Sequence, residues 1–258
     1  MHSFVAFGHS HIVAFAKGAY DYQASDLPPE APRVEGRFLY LYDPAYNPVL
    51  QGPPEALHLN PKLSEHLTER FWDFVILVCG GNEHNVLGIV RNKRPFDFVL
   101  SSAPDLPLQP GYELVPEALV REVLKSFMAE SLQTMQTFRA ATHLPVMQLE
   151  PPPPLPNHRV LAYPREFVRA ALFRKNIAPE LIRHKLWRLE SEIYCRFCDQ
   201  FGIGYLRAPT SMIDKNGMLA EAGWGSDATH ASPRYGLEAV KDAINFYRAQ
   251  MKEAQVQS

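Results

Sequence analysis

The residue types needed for nucleophilic catalysis lie in two short segments near opposite ends of the 258-residue chain. Ser10 lies in the sequence GHSH at 8–11, and Asp227 and His230 lie in the sequence DATH. A serine hydroxyl is a weak nucleophile at neutral pH and needs a neighbouring base. Histidine titrates near pH 6.5 and can serve as that base, while a carboxylate can hold its ring in the required tautomer. The residues therefore predict a Ser10–His230–Asp227 triad.

A tetrahedral intermediate also needs hydrogen-bond donors that are in place before the charge develops. The side-chain amide of Asn82, in the sequence GGNEHN at 80–85, is a candidate donor, and the backbone N–H of Ser10 is another. Two simpler interpretations remain open. Asn82 could only cap the following helix, and Gly8 and the Gly80-Gly81 pair could only end strands in turns.

The candidate residues follow short apolar segments that are typical of strands. Asp73–Cys79 is the clearest, since it is nearly continuous and β-branched, as a strand covered on both faces should be. The other predicted strands are Ser3–Phe7, Arg37–Tyr42, Leu144–Leu149 and Ile203–Leu206. Apolar residues spaced by three and four predict helices between or after them. The predicted helices are Pro116–Thr142, Pro179–Phe201 and Ser232–Met251.

Strands that alternate with helices predict a parallel sheet with right-handed crossovers. We therefore expect an α/β fold with three α/β/α layers, a flavodoxin-like five-stranded sheet in the order 2-1-3-4-5, and a single domain over residues 1–258. Ligands bind beyond the carboxyl ends of the strands in such sheets. Four proline-rich stretches are expected to form ordered loops around one rim. They are Leu27–Arg33, Pro44–Pro54, Ala103–Pro110 and Pro151–Pro156.

The segments GHSH, GGNEHN and DATH, in this order along the chain, resemble the SGNH (GDSL) hydrolase family. The signature of that family has a G-D-S block, a later glycine, a G-x-N-D block and a D-x-x-H block. The resemblance covers the whole chain as architecture and rests on about a dozen residues. It implies an SGNH-type fold and a serine acyl-ester hydrolase of the esterase or deacetylase kind. It also implies an oxyanion role for Asn82 and for one glycine between the blocks. We assign that role to Gly52, with Gly36 as the rival.

The chain departs from the family pattern at two positions. His9 and Glu83 stand where the family has aspartates, so that His9, His11 and His84 predict an imidazole-rich rim around the nucleophile. The His-Ser-His sequence also resembles SGNH-like domains near polysaccharide acylation. Two alternatives therefore stay open: an O-acyltransferase acting on a carbohydrate, and a binding module without turnover on the same fold.

Composition excludes several other classes of function. The net charge of −2 and the pI of about 6.6 provide no basic field to attract nucleic acid. The longest apolar run, Phe74–Cys79, is far shorter than the roughly 20 residues of a membrane helix. The N-terminus lacks the pattern of a secretory signal, and three cysteines suggest reduced thiols, so we expect a cytoplasmic protein. We expect a small-molecule or carbohydrate ester as substrate and no cofactor. The sequence leaves the oligomeric state open.

Some residue clusters have both a functional and a structural interpretation. His9, His11, His84 and Glu83 could bind a metal, but polar rim histidines are favoured, and no metal site is predicted. Cys195 and Cys198 are interpreted as partly buried thiols of a helix. Two basic clusters are interpreted as solvated surface; they are Arg91, Lys93 and Arg94, and then Arg165, Arg169, Arg174 and Lys175. Aromatic residues are candidates for pocket walls; they are Phe96, Phe98, Tyr163, Phe167 and Trp224.

Overall fold

A computed structural model describes residues 1–25, 28, 31–163 and 177–257. Its central sheet has five parallel strands in the order β2-β1-β3-β4-β5, which confirms the predicted order. The strands are β1 (His2–Gly8), β2 (Val34–Tyr40), β3 (Phe74–Val78), β4 (Val146–Leu149) and β5 (Gly204–Leu206). β1 lies between β2 and β3, so the segments that follow β1 and β3 emerge side by side at the carboxyl edge.

Helices cover both faces of this sheet. They are α1 (Ile12–Ala24), α2 (Pro61–Thr68), α3 (Glu83–Gly88), α4 (Glu117–Ala140), α5 (Asn157–Leu161), α6 (Glu180–Phe201) and α7 (Pro233–Gln257). Two short strand pairs lie in the connections, Leu50–Gln51 with His58–Leu59 and Phe96–Asp97 with Glu113–Leu114. Short 3₁₀ helices occur at Pro44–Tyr46, Pro54–Ala56, Thr210–Met212 and Glu221–Gly223.

The helices α4, α6 and α7 agree with the predicted ranges to within a few residues, except at the C-terminal end of α7. The second strand is shifted, since it runs from Val34 to Tyr40 and not from Arg37 to Tyr42. Its first residues include Glu35 and Gly36, which are not apolar, so a search for apolar runs does not recognise the start of this strand. β2 is an edge strand with several exposed positions, and an edge strand does not need the continuous apolar run of a central one.

Alternate residues of the strands pack into two separate hydrophobic layers, one on each face of the sheet. Phe4 and Ala6 of β1 face a layer that contains residues of α1 and α7, whereas Val5 and Phe7 face a layer that contains residues of α4 and α6. Side chains of a strand alternate between the two faces of a sheet, so the nearly unbroken apolar sequence of β1 reflects burial on both sides. This arrangement confirms the predicted three-layer α/β/α fold.

Two glycines allow α1 and α7 to touch through their backbones. A Cβ atom at Gly18 would lie 2.1 Å from the backbone nitrogen of Leu237, and one at Gly236 would lie 2.0 Å from the carbonyl oxygen of Ala14. No side chain fits in such a contact, so glycine is required at both positions. The contact fixes the start of α7 beside the start of α1 and thereby brings the segment before residue 233 to the turn after β1.

The proline-rich stretch Pro151–Pro156 is a loop after the carboxyl end of β4, as expected, but it is buried and not exposed. α6 holds it in place, because the Trp187 indole donates to the Pro151 carbonyl at 2.9 Å and the Arg183 guanidinium donates to the Leu155 carbonyl at 2.5 Å. Pro44–Pro54 and Ala103–Pro110 lie mostly at the surface, and Leu27–Arg33 falls partly outside the described residues. Within the described ranges, no helix combines the length and the apolar character that crossing a membrane requires.

Candidate active site

Ser10 lies in the tight turn that joins β1 to α1. The Ile12 N–H donates to the His9 carbonyl at 3.0 Å, and the Val13 N–H donates to the Ser10 carbonyl at 3.3 Å. The Ser10 side chain is half-buried, and among the described residues neither its hydroxyl nor its backbone N–H has a hydrogen-bond partner. Both groups are therefore available to a substrate at the carboxyl edge of the sheet, next to the N-terminus of α1.

Asp227 and His230 lie in a short loop between Trp224 and Ala231. An antiparallel bridge pairs Trp224 with Ala231, and the Gly225 N–H donates to the His230 carbonyl at 3.0 Å. Inside the loop, Oδ1 of Asp227 accepts the backbone N–H groups of Thr229 and His230, both at 2.8 Å. These bonds hold the carboxylate in one orientation, and its other oxygen, Oδ2, lies 2.6 Å from Nδ1 of His230.

The electrostatics of the loop keep Asp227 ionised. Partial burial alone would raise the pKa of its carboxyl, but hydrogen bonds from the His230 ring and from the Thr229 and His230 N–H groups lower the pKa well below its usual range. An ionised carboxylate only accepts hydrogen bonds. Nδ1 of a neutral His230 must therefore carry the ring proton, which leaves Nε2 as an acceptor. Nε2 is buried and has no partner among the described residues.

Ser10, Asp227 and His230 line one open pocket of about 540 Å³. Its other lining residues include Tyr40 and Trp224, so Trp224 is a pocket wall as expected. No hydrogen bond joins the Ser10 hydroxyl to the His230 ring in the described part of the chain. Catalytic hydrogen bonds in ligand-free structures are often long and tighten when substrate binds. The fold thus brings residues from opposite ends of the sequence to the same pocket.

Asn82 lies just after β3, beside the turn that contains Ser10. It precedes α3, but its side chain makes no capping hydrogen bond, so the simple capping interpretation does not apply. Its Oδ1 instead accepts from Nδ2 of Asn85 at 3.0 Å. Among the described residues its own Nδ2 has no partner and is free to donate. Asn82 is not among the residues that line the Ser10 pocket.

Gly52 is exposed and lies in the loop between the short strands Leu50–Gln51 and His58–Leu59. The nearest atoms to a Cβ at this position belong to Ala56 and His58, and Gly52 does not line the Ser10 pocket. The rival Gly36 lies within β2, packed against Phe4 and Phe38. An oxyanion role for Gly52 stays a prediction.

The expectation of a histidine rim was wrong for two of the three histidines. His11 and His84 are buried, and burial lowers the pKa of each to about 3, so both are neutral at physiological pH. The His11 ring packs against the His230 ring with centroids 4.9 Å apart. Only His9 is partly exposed, and its Nδ1 accepts the Gly80 N–H at 2.9 Å.

Beneath the Asn82 turn lie two buried carboxyl groups. Oε2 of Glu83 accepts the N–H groups of Gly81 and Asn82 at 2.7 and 2.8 Å, and Oε2 of Glu190 accepts the His84 N–H at 2.5 Å. Burial, and then the charge of Glu190, raise the pKa of Glu83 to about 7, and burial raises the pKa of Glu190 to about 8. Glu83 accepts two backbone N–H groups, which favour its ionised form, so we expect Glu190 to be the carboxyl of the pair that keeps its proton.

These raised pKa values make stability depend on pH. Between about pH 5 and 8 the folded protein binds more protons at this pair than the unfolded chain, so the contribution of this pair to the free energy of unfolding falls as pH rises. Glu190→Gln keeps an acceptor for the His84 N–H and removes the titration. We expect its Tm to exceed that of the wild type by a few degrees at pH 8, since about 1 kcal/mol corresponds to roughly 2–4 °C in a domain of this size, and to match it near pH 5.

Thermal unfolding from pH 5 to 8.5 checks this expectation. Glu122→Gln is the matched control, because Glu122 is exposed and, within the described part of the chain, pairs only with the exposed Lys125. Its Tm should follow the wild-type pH profile. A Glu190→Gln profile parallel to that of the wild type would show that the pair does not titrate in this range.

The other residues singled out in the sequence are the cysteines, the aromatic residues and the basic clusters. Cys195 is half-buried and Cys198 is buried, both free and both in α6, as expected. Among the described residues, no group of three or more His, Cys, Asp or Glu side chains could hold a metal ion. Phe98 is fully buried, so it is not a pocket wall. Arg91, Lys93 and Arg94 are exposed. Phe167 and the basic cluster of Arg165, Arg169, Arg174 and Lys175 lie outside the described residues.

Sequence reasoning missed two residues that hold the Asn82 turn. Glu190 stands among the apolar positions of α6, between Leu189 and Ile193, and a charged residue on the apolar face of a helix is the signal that could have indicated a buried partner. Asn85 lies within the GGNEHN sequence, but its contact with Asn82 depends on the first turn of α3 and has no separate sequence signal.

Comparison with known proteins gives similarities at the level of solved structures. Neither a scan against models of protein families nor a search of curated proteins finds a match to this chain. The native aryl esterase of M. smegmatis is 13% identical, with a TM-score of 0.45 over 96% of this chain and 99% of that chain. The periplasmic domain of a lipopolysaccharide acetyltransferase from Salmonella ser. Paratyphi A is 13% identical, with a TM-score of 0.47 over 95% and 83%.

A GDSL-like lipase from Bacteroides thetaiotaomicron VPI-5482 is also similar, with 12% identity and a TM-score of 0.38 over 94% of this chain and 87% of that chain. These similarities are at the level of the fold. The sheet order shows a three-layer α/β/α fold with a flavodoxin-like five-stranded parallel sheet.

Proposed function

We propose that this protein is a serine-dependent acyl-ester hydrolase of SGNH type. The observation that carries the proposal is the 2.6 Å hydrogen bond between Asp227 and Nδ1 of His230, in a pocket that also contains Ser10. This bond leaves Nε2 of His230 as the acceptor that a serine nucleophile requires.

In the proposed reaction, Oγ of Ser10 attacks the ester carbonyl carbon while Nε2 of His230 accepts the hydroxyl proton. Asp227 stabilises the imidazolium that forms. The carbonyl oxygen becomes an oxyanion, which the Ser10 N–H and the Asn82 amide stabilise by donating hydrogen bonds. His230 then gives its proton to the departing alcohol, and an acyl-enzyme remains.

Water completes the cycle by the same steps. His230 accepts a proton from water, the resulting hydroxide attacks the acyl carbon, and the proton returns to Oγ of Ser10 as the carboxylic acid leaves. The first half of this reaction is the same in an acyltransferase, in which a sugar hydroxyl would replace water. The pocket that contains Ser10 is open, so water can reach the acyl-enzyme.

A fluorophosphonate probe tests whether Ser10 is activated. We expect one covalent adduct per chain, because Oγ of Ser10 attacks phosphorus and fluoride leaves, and we expect peptide mass spectrometry to place it on Ser10. Ser10→Ala should abolish labelling. Ser126→Ala is the matched control, since Ser126 is exposed on α4 and its hydroxyl bonds only the Val123 carbonyl among the residues that the structure describes. It should label as the wild type does.

The outcomes separate the rival functions. An unlabelled Ser10 in a folded protein would contradict the proposal and favour a binding module. Labelling without hydrolysis of an aryl acetate, together with acyl transfer to an added carbohydrate, would replace hydrolysis by acyl transfer. Labelling with release of acetate supports the esterase.

A further inference from the structure

The amide of Asn82 can help or oppose catalysis, depending on which of its ends faces the reacting carbonyl. Nδ2 donates hydrogen bonds and stabilises an oxyanion, whereas Oδ1 carries negative partial charge and repels one. The two ends are nearly equal in size, so packing alone does not select between them. A hydrogen-bond partner on one end must make the selection.

Asn85 provides such a partner. Its Nδ2 donates to Oδ1 of Asn82 at 3.0 Å, and the residue as a whole is only 8% exposed. The two residues are three positions apart and therefore lie on the same side of the first helical turn. With Oδ1 engaged by Asn85, the Nδ2 end of Asn82 points away from that contact and has no partner among the described residues.

The backbone of the same turn is already fixed by other bonds. The Asn82 N–H donates to Oε2 of Glu83 at 2.8 Å, and the Asn82 carbonyl accepts the Val86 N–H at 2.9 Å. The remaining freedom at Asn82 is the rotation of its side chain, and Asn85 makes the hydrogen bond that restricts it.

We propose that Asn85 is a positioning residue that sets the orientation of the Asn82 amide, so that the Nδ2 donor and not the Oδ1 acceptor is presented to the oxyanion. This proposal rests on the function proposed above, because it requires Asn82 to act as an oxyanion donor.

The test compares Asn85→Leu and Asn85→Asp in the full-length protein, with 4-nitrophenyl acetate as substrate. Leucine has a similar size and donates nothing, so the Asn82 amide loses its preferred orientation. We expect kcat to fall several-fold with KM little changed. Aspartate accepts when ionised and attracts the Nδ2 end of Asn82, so its kcat should fall further, by about 10- to 100-fold. Its activity relative to the wild type should decrease as pH rises and the new carboxyl ionises.

A double-mutant cycle distinguishes positioning from a structural role. Asn82→Ala alone should reduce kcat by about 10²–10³-fold. If Asn85 acts through Asn82, adding Asn85→Leu or Asn85→Asp to Asn82→Ala should cause no further loss. Thermal unfolding shows whether each variant is folded. If the aspartate variant does not fold, the leucine variant by itself still tests the proposal.

Wild-type kcat in a folded Asn85→Leu variant would overturn the role of Asn85. A loss that multiplies with that of Asn82→Ala would also overturn it. If Asn82→Ala itself keeps full activity, Asn85 has no donor to orient and the proposal is wrong. Fluorophosphonate labelling of Ser10 in the wild type keeps these failures distinct from failure of the proposed function.

Discussion

Ser10→Ala should lower kcat for 4-nitrophenyl acetate by on the order of 10⁴-fold or more. In the proposed reaction, Oγ of Ser10 is the protein atom that forms the covalent bond to the acyl carbon. Because members of a triad act as a unit, the loss of this atom should remove the effect of the whole triad. The substitution should not disturb the fold, because the Ser10 hydroxyl makes no hydrogen bond within the described residues. We therefore expect a Tm close to that of the wild type, so that the loss reports on chemistry.

Steady-state kinetics with purified protein measures this effect, and Ser126→Ala serves again as the control that should keep full activity. A folded Ser10→Ala variant that retains more than about a tenth of wild-type kcat would remove Ser10 from the mechanism. The 2.6 Å contact between Asp227 and His230 would then require another explanation, for example a structural role in the loop between Trp224 and Ala231.

Asp227→Asn should reduce kcat by about 10⁴-fold through a change of tautomer. The bonds from the Thr229 and His230 N–H groups require an oxygen at the Oδ1 position. The asparagine must therefore place its NH₂ group against Nδ1 of His230, where the carboxylate now accepts. The ring proton then moves to Nε2, which can no longer accept the proton of Ser10.

The matched control is Asp214→Asn. Oδ1 of Asp214 also accepts two backbone N–H groups, from Asn216 and Met218 at 2.8 and 2.9 Å, but Asp214 does not line the Ser10 pocket. Its variant should keep kcat within about twofold of the wild type. If Asp227→Asn behaves like this control, Asp227 does not orient the base, and the proposed triad reduces to Ser10 and His230.

The central strands and the long helices were predictable because their information is local. Each central strand must be buried on both faces, so Asp73–Cys79 reads as a nearly continuous apolar run, and the long helices read through a period of three to four. The edge strand β2 was less predictable, since Glu35 and Gly36 need not be apolar in a strand with one free edge. The short helices α2, α3 and α5 have too few turns to produce a clear period.

Some features of the candidate site were likewise visible in the sequence, and others were not. Ser10, Asn82, Asp227 and His230 were identified because they follow strand ends or precede a helix, and those positions are visible in the sequence. The burial of His84 was not, because it depends on how α3 packs against α6 and on the Glu190 that α6 contributes. The burial of His11 was not visible either, because its ring packs against His230 from the other end of the chain. A sequence shows that a histidine is near a turn, but not whether that turn is solvated.

The sequence by itself determined the strands, the long helices and the types of residue available for catalysis, because these depend on local patterns of apolar and polar side chains. Only the tertiary structure decided that the loop before α7 lies beside the turn after β1. That decision depends on Gly18 and Gly236, where two helix backbones touch because neither glycine has a side chain to separate them. It also placed Asn85 where its side-chain amide donates to Oδ1 of Asn82.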